Sequence, residues 1–121
     1  MATVKFRLGI SSSTVGPDKL DFAVEKSVSV TEPLLNMAKV SVATGSDTVI
    51  LGTGNVQSYV YIRNTDATNF VTIKNGTDAG TTLAIIRPGE FALFPLAASA
   101  GLELIADTDA CICEYGHWAV A

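Results

Sequence analysis

Hydrophobic and polar residues alternate along much of this chain. The alternation is clear in residues 3–10 (TVKFRLGI), and it returns in residues 20–30 and 39–44. A period of two places successive side chains on opposite faces, so it is typical of a β-strand with one face in a core and one in water. We therefore expect the first half of the chain to be extended, with a bend near residues 26–27.

The second half, residues 56–120, consists of short β-type runs separated by turn residues. The runs are YVYIRN, FVTIKN, TLAIIR, EFALFPL, LELIA and ACICEYGHWAV. The segment NTDATN at residues 64–69 predicts a hairpin between the first two runs. The Asn-Gly pair at 75–76 and the Pro-Gly pair at 88–89 predict two further reversals. Pro95 is expected to end a strand, because proline cannot donate a ladder hydrogen bond.

Helix is nearly absent from this pattern. Only residues 31–39 (TEPLLNMAK) are helix-like, since Thr31 could cap a helix and Pro33 could lie in its first turn. About nine or ten short strands leave no room for crossover helices, which favours antiparallel sheets packed face to face. The predicted fold is all-β: a single antiparallel β-sandwich domain over residues 1–121, jelly-roll-like, with an immunoglobulin-type sandwich as the alternative.

The composition predicts a surface that other subunits partly cover. Hydrophobic residues make up 48% of the chain and charged residues 17%, below the roughly 25% of a typical soluble domain. Exposed apolar patches usually mark contacts, so we expect a homo-oligomer or an assembly. A monomer rich in Ala, Val and Thr is the alternative.

Charge and hydropathy exclude two classes of partner. The chain has eight basic and twelve acidic residues, and the basic residues are scattered rather than gathered in a stripe, so nucleic acid is not an expected partner. A basic-then-apolar leader and an apolar run of roughly 20 residues are both missing, so we expect a protein made in a cytoplasm and not inserted in a membrane.

Few side chains could carry chemistry. His117 is the single histidine, and a general base would also need a nucleophile and an orienting partner. Cys111 and Cys113 are expected to be buried, reduced thiols, and with His117 they fall short of the four ligands of a zinc site. The acidic turn at residues 107–109 is explained by turn hydrogen bonding rather than by calcium. We predict no enzymatic activity, no catalytic residue, no metal site and no cofactor.

Aromatic side chains leave a second class of function open. Tyr59, Tyr61, Tyr115 and Trp118 could stack on sugars or on a partner surface, although core packing explains them equally well. A carbohydrate-binding module is therefore an alternative, and a row of aromatic side chains facing solvent would favour it.

Seven residues of the second half form a recognisable pattern: Asn64, Pro88, Gly89, Glu90, Ala106, Asp107 and Tyr115. Through them, residues 56–120 resemble small virion structural proteins of tailed bacteriophages. The resemblance implies a capsid decoration (cement) protein that acts as a trimer on the virion surface, binds the major capsid protein and bridges capsid subunits. A tail component or receptor-binding β-sandwich module of a phage particle is the alternative.

The expected assembly contacts lie in the N-terminal strand and in the helix-like segment. These parts combine large apolar side chains with little strand regularity, so we expect them to meet a neighbouring subunit. The candidate interface residues are Phe6, Leu8, Leu34, Leu35 and Met37.

Overall fold

The structure, a computed structural model, describes residues 2–13, 20–31, 37–76 and 81–121. They contain ten β-strands: β1 (Ala2–Ser12), β2 (Leu20–Val30), β3 (Met37–Val42), β4 (Thr48–Leu51), β5 (Ser58–Asn64), β6 (Val71–Asn75), β7 (Thr82–Ile86), β8 (Phe91–Leu96), β9 (Leu102–Ala106) and β10 (Cys111–Ala119). In the described residues no helix is long and apolar enough to span a membrane.

The chain divides into two compact units, residues 1–34 with Ala121 and residues 35–120. In the first unit, β1 and β2 form an antiparallel two-stranded ribbon whose register runs without a break from Ala2 opposite Val30 to Ser12 opposite Leu20. The bend expected at residues 26–27 stays a prediction; both residues are paired with β1. The expectation of one domain over residues 1–121 stays a prediction.

The second unit consists of two four-stranded antiparallel sheets in a sandwich-like arrangement. The first sheet has the strand order β3-β10-β5-β8 and the second has the order β4-β9-β6-β7. Apart from the step from β6 to β7, every connection between consecutive strands crosses from one sheet to the other. This winding is that of a jelly roll, in which two Greek keys alternate between the sheets. The predicted all-β, jelly-roll-like sandwich is confirmed.

The core of the second unit lies between the inward faces of its two sheets. Alternate residues of each central strand are buried, as the period of two requires. The side chains that are fully buried or nearly so belong to Val42, Val60, Ile62, Val71, Ile73, Leu102, Leu104, Cys111 and Cys113.

Two sequence-based expectations about local structure are wrong. Residues 59–63 and 70–73 do not form a hairpin: β5 pairs with β10 and β8, whereas β6 pairs with β7 and β9. The NTDATN segment connects one sheet to the other. Such a connection uses the same types of turn residue as a hairpin, so the sequence does not distinguish the two. The helix expected over residues 31–39 is wrong for Met37 to Lys39, which belong to β3; residues 32–36 lie outside the described residues.

Both other reversals are confirmed. Strands β6 and β7 pair directly, as the Asn-Gly pair at 75–76 indicated. The Pro-Gly pair forms a turn in which the Glu90 amide donates to the Arg87 carbonyl at 3.0 Å and Gly89 has a φ of 81°. This is the geometry of a type II turn, where proline suits the second position and glycine the third.

Candidate functional site

The β1–β2 ribbon has one apolar and one polar face. Directly opposed residues share a face, and in this register even-numbered residues of both strands lie on one side. We call this side the apolar ribbon face; it comprises Val4, Phe6, Leu8, Ile10, Leu20, Phe22, Val24, Val28 and Val30, with Lys26 among them. The odd-numbered side carries the polar residues.

Glu25 organises the polar side of the ribbon. Its carboxylate lies 2.7 Å from Arg7 Nε and 3.7 Å from Lys5 Nζ. All three side chains are at least about half exposed, so these ion pairs contribute little to stability. They do show that the odd-numbered side of the ribbon is the polar side, for which contact with water is favourable.

The apolar ribbon face is exposed over the half that residues 8–12 and 20–24 form. Leu8, Ile10, Leu20, Phe22 and Val24 each show 40–54% of their surface to solvent. An isolated two-stranded ribbon is marginally stable in water at best, and ribbons gain stability by packing their apolar face against another element. Within the described residues these five side chains have no such cover. This face is the candidate functional site of the first unit.

The predicted interface residues fall in different places. Phe6 and Leu8 both lie on the apolar ribbon face, with Phe6 half-buried and Leu8 exposed. Met37 is exposed at the start of β3 in the other unit, and Leu34 and Leu35 lie outside the described residues. A contact role for these five residues stays a prediction.

Sequence reasoning missed most of the apolar ribbon face. Its β2 half, which includes Leu20, Phe22 and Val24, was assigned to a strand but not to an interface. The alternation was visible in the sequence; the missing information was the register that brings the two alternating strands together.

The outer side of the first sheet, which we call the Glu114 face, carries cationic and aromatic residues. Across it Lys39, Glu114, Arg63 and Phe91 form one row. The Tyr61 hydroxyl donates to Glu114 Oε1 at 3.1 Å, and burial together with this carboxylate raises the pKa of Tyr61. Two cations therefore flank one carboxylate on this face.

The aromatic side chains do not form a row facing solvent. Tyr59, Tyr61 and Trp118 lie on the Glu114 face and Tyr115 packs against the core, but all four are partly buried. A row of solvent-facing Tyr and Trp side chains, the observation that would have favoured carbohydrate binding, is therefore not formed by these four residues.

The outer side of the second sheet, which we call the Glu103 face, is rich in β-branched residues. Strand register places Val49, Glu103 and Lys74 in one row, and Ile105, Thr72 and Ile85 in the next. Val49, Leu83 and Ile85 are exposed. Lys74 Nζ lies 2.9 Å from Asp47 Oδ1, which leaves Glu103 without an ion-pair partner in the described part of the chain.

The two cysteines are buried, as expected, and form no disulfide. Burial raises the pKa of the Cys113 thiol to about 11, and burial with the nearby carboxylates raises that of Cys111. A thiol without thiolate character is a poor nucleophile and a poor ligand. Both residues therefore serve as small apolar side chains of the core.

His117 lies directly opposite Val60, on the inward side of the first sheet. The side chain is half-buried, and burial lowers its pKa. Among the described residues no group of three His, Cys, Asp or Glu side chains could hold a metal ion.

The Asn64 side chain joins two loops of the sandwich. Fully buried, it donates through Nδ2 to the carbonyls of Asn69 at 2.9 Å and Ile86 at 3.1 Å, and its Oδ1 accepts from the Asp66 amide at 2.9 Å. Its backbone bonds to Gly89 and Glu90 on the Pro-Gly turn. Several residues of the recognised pattern thus meet at one structural junction.

The Asp66 carboxylate stabilises the crossover loop at residues 64–69 through hydrogen bonds within the loop. One carboxylate oxygen accepts hydrogen bonds from the amides of Thr68 at 3.0 Å and Asn69 at 2.7 Å and from the Thr68 hydroxyl. These backbone bonds lower the pKa of Asp66. Side chains within the crossover loop therefore stabilise its conformation, and the Asp66 carboxylate has a structural role.

Comparisons with known proteins return one distant likeness. No protein-family model and no curated protein matches the chain. A solved structure of Bacillus endospore appendages, described as a novel family of disulfide-linked pili, matches with a TM-score of 0.48 and 9% sequence identity, covering 98% of this chain and 89% of that one.

These comparisons correct the expectations that came from the phage resemblance. The structure they return is an endospore appendage and not a phage virion protein. The identification as a tailed-phage protein, the decoration or tail function and the virion location are therefore wrong, and nothing supports the major capsid protein as a partner. Several residues of the motif that suggested these expectations lie where Asn64 contacts the Pro-Gly turn. Such a contact stabilises the fold and carries no information about function.

Proposed function

We propose that this protein is a non-catalytic structural subunit that associates with copies of itself through the apolar ribbon face. One observation carries the proposal: five large apolar side chains lie side by side on a two-stranded ribbon and are 40–54% exposed. Water contact with this surface is unfavourable, and burying it is favourable by roughly 25 cal/mol per Å².

The size of the face suits a specific contact. At roughly 150 Å² for each side chain, the lower end of the aromatic range because four of the five are aliphatic, the observed exposed fractions leave on the order of 330 Å² of apolar surface per copy. Apolar atoms make up about 57% of an ordinary interface, so such a patch corresponds to about 600 Å² per partner, the lower end of the range for a stable complex.

The association we propose is noncovalent. The endospore appendages are described as disulfide-linked, but the two cysteines of this sequence are fully buried in β10. Neither thiol could reach a neighbouring subunit without opening the core. Reducing agents should therefore leave the oligomer unchanged, and a trimer, as first expected, is one closed form it could take.

Sedimentation velocity of the purified protein over a wide concentration range tests the proposal. We expect a self-associating species in the wild type and a monomer in Phe22→Glu, because a carboxylate on the apolar ribbon face would have to be desolvated in the contact. Ala23→Glu is the matched control, since the neighbouring residue points to the polar side. A wild type that sediments as a monomer at every concentration would overturn the proposed function.

A further inference from the structure

We propose that the apolar ribbon face of one copy docks on the Glu103 face of a second copy. The inference rests on the proposed self-association and names the surface that receives the ribbon. Lys26 of the ribbon would then meet Glu103 of the neighbouring copy, with apolar side chains packed around the pair.

Charge selects this surface. Lys26 is the one charged residue on the apolar ribbon face and has no ion-pair partner among the described residues. On the Glu103 face Asp47 neutralises Lys74, so Glu103 leaves one net negative charge. The Glu114 face has two cations beside its single carboxylate and would repel Lys26. Complementary charges favour one pairing and suppress the other.

Shape agrees with charge. The exposed part of the ribbon spans about five residues per strand, or roughly 16 Å. The strands under the Glu103 face have four or five residues each. Val49, Ile85 and Ile105 give this face a surface of branched side chains, on which Leu8 and Phe22 could lie.

A contact between two different surfaces has a consequence for assembly. Each copy would offer one ribbon and one Glu103 face, so both remain available at the ends of a dimer. Such head-to-tail contacts produce a ring where the rotation closes and a filament where it does not. A contact between two ribbon faces would stop at a dimer.

Mixing two defective subunits tests the pairing directly. Phe22→Glu lacks a working ribbon and Ile85→Glu lacks a working Glu103 face, so each should be monomeric alone. Mixed in equal amounts, they should form a one-to-one heterodimer that grows no further, because one good ribbon and one good face remain. Circular dichroism establishes that each variant is folded.

The control for Ile85→Glu is Ile112→Glu on the Glu114 face. The two side chains have similar exposures, 52% and 47%, so a general effect of added charge would be equal in both. We expect Ile112→Glu to assemble like the wild type. If it assembles poorly and Ile85→Glu assembles well, the ribbon docks on the other sheet.

A charge exchange tests the ion pair. Lys26→Glu and Glu103→Lys should each weaken association by on the order of tenfold or more, because like charges would meet in the contact. The double variant should recover most of the wild-type association. Assembly that persists in Ile85→Glu and in both charge variants overturns the docking surface while leaving self-association standing; a monomeric wild type overturns both.

Discussion

At the scale of single residues, the polar groups inside the sandwich serve the fold. Asn64 is the clearest example, since its side chain is completely buried and makes three hydrogen bonds to backbone groups of three different residues. The sequence showed an asparagine in a turn-rich segment. It could not show that this asparagine lies between two loops, because its partner Ile86 is 22 residues away.

Replacing Asn64 with alanine should lower the free energy of unfolding by about 3 kcal/mol. The change removes the Asn64 hydrogen bonds to the buried Ile86 carbonyl and to the part-buried Asn69 carbonyl and Asp66 amide, and each group left unsatisfied costs roughly 1–3 kcal/mol before relaxation. Urea unfolding followed by tryptophan fluorescence measures the loss. Asn69→Ala in the same loop is the control and should cost well under about 1 kcal/mol, because its side-chain bonds are exposed.

Cys113 makes stability depend on alkaline pH. Its folded pKa of about 11 lies above the ordinary thiol value of 9.0, so the unfolded chain loses the proton first. The stability that the folded state gains from keeping the Cys113 thiol protonated is complete below pH 9, and it is lost as the pH rises from 9.0 to about 11. The loss at the upper end should be roughly 2–3 kcal/mol.

Cys113→Ala isolates this effect. We expect the variant to be less stable than the wild type at pH 8 because the packing of the sulfur atom is lost, and the difference to shrink as the pH rises toward 11. Equilibrium unfolding in the presence of reductant at several pH values gives both curves. A constant difference would mean that Cys113 titrates normally in the folded protein.

At the scale of strands, alternation identified the elements and failed on their pairing. The runs around Val60, Ile73, Leu104 and Cys113 all became strands, because burial on one face requires the period that the sequence shows. Their partners depend on which sheet each crossover enters. The hairpin expected across residues 64–69 failed for this reason, since turn residues fix a local reversal and not the sheet to which the chain returns.

The same limit applied to the candidate site. Phe6 and Leu8 could be chosen from the sequence as large apolar residues of the N-terminal strand. The opposing Phe22 and Val24 could join them only once the ribbon register was known, and Lys26 acquired significance only as the charged member of that face.

Strand β8 shows how an open sheet edge is protected. It ends the first sheet, and Pro95 lies within it opposite Tyr59. Proline offers no amide to an incoming strand, and it is found at edges for this reason.

Pro95→Thr should therefore increase nonspecific association through the β8 edge. The threonine suits a strand and restores an amide hydrogen to the edge. Static light scattering at rising protein concentration would detect the change, with Ala97→Thr just beyond the strand as control. The prediction fails if both variants scatter alike.

At the scale of the whole molecule, composition gave a better guide to behaviour than the recognised motif. The low content of charged residues indicated a surface with covered parts, and the ribbon and both sheet faces do carry exposed apolar side chains. Several motif residues instead lie in the structural junction around Asn64. Any sandwich with this strand order could use such a junction.

Strand order also sets a condition on synthesis. The last two of the ten described strands, β9 and β10, lie inside their sheets: β10 separates β3 from β5, and β9 separates β4 from β6. The second sheet is therefore disconnected until β9 has been synthesised, and the first sheet is disconnected until β10 has been synthesised. A chain terminated after Gly101 would leave its apolar strands uncovered and should be insoluble, and the sandwich should fold only after β10 has left the ribosome.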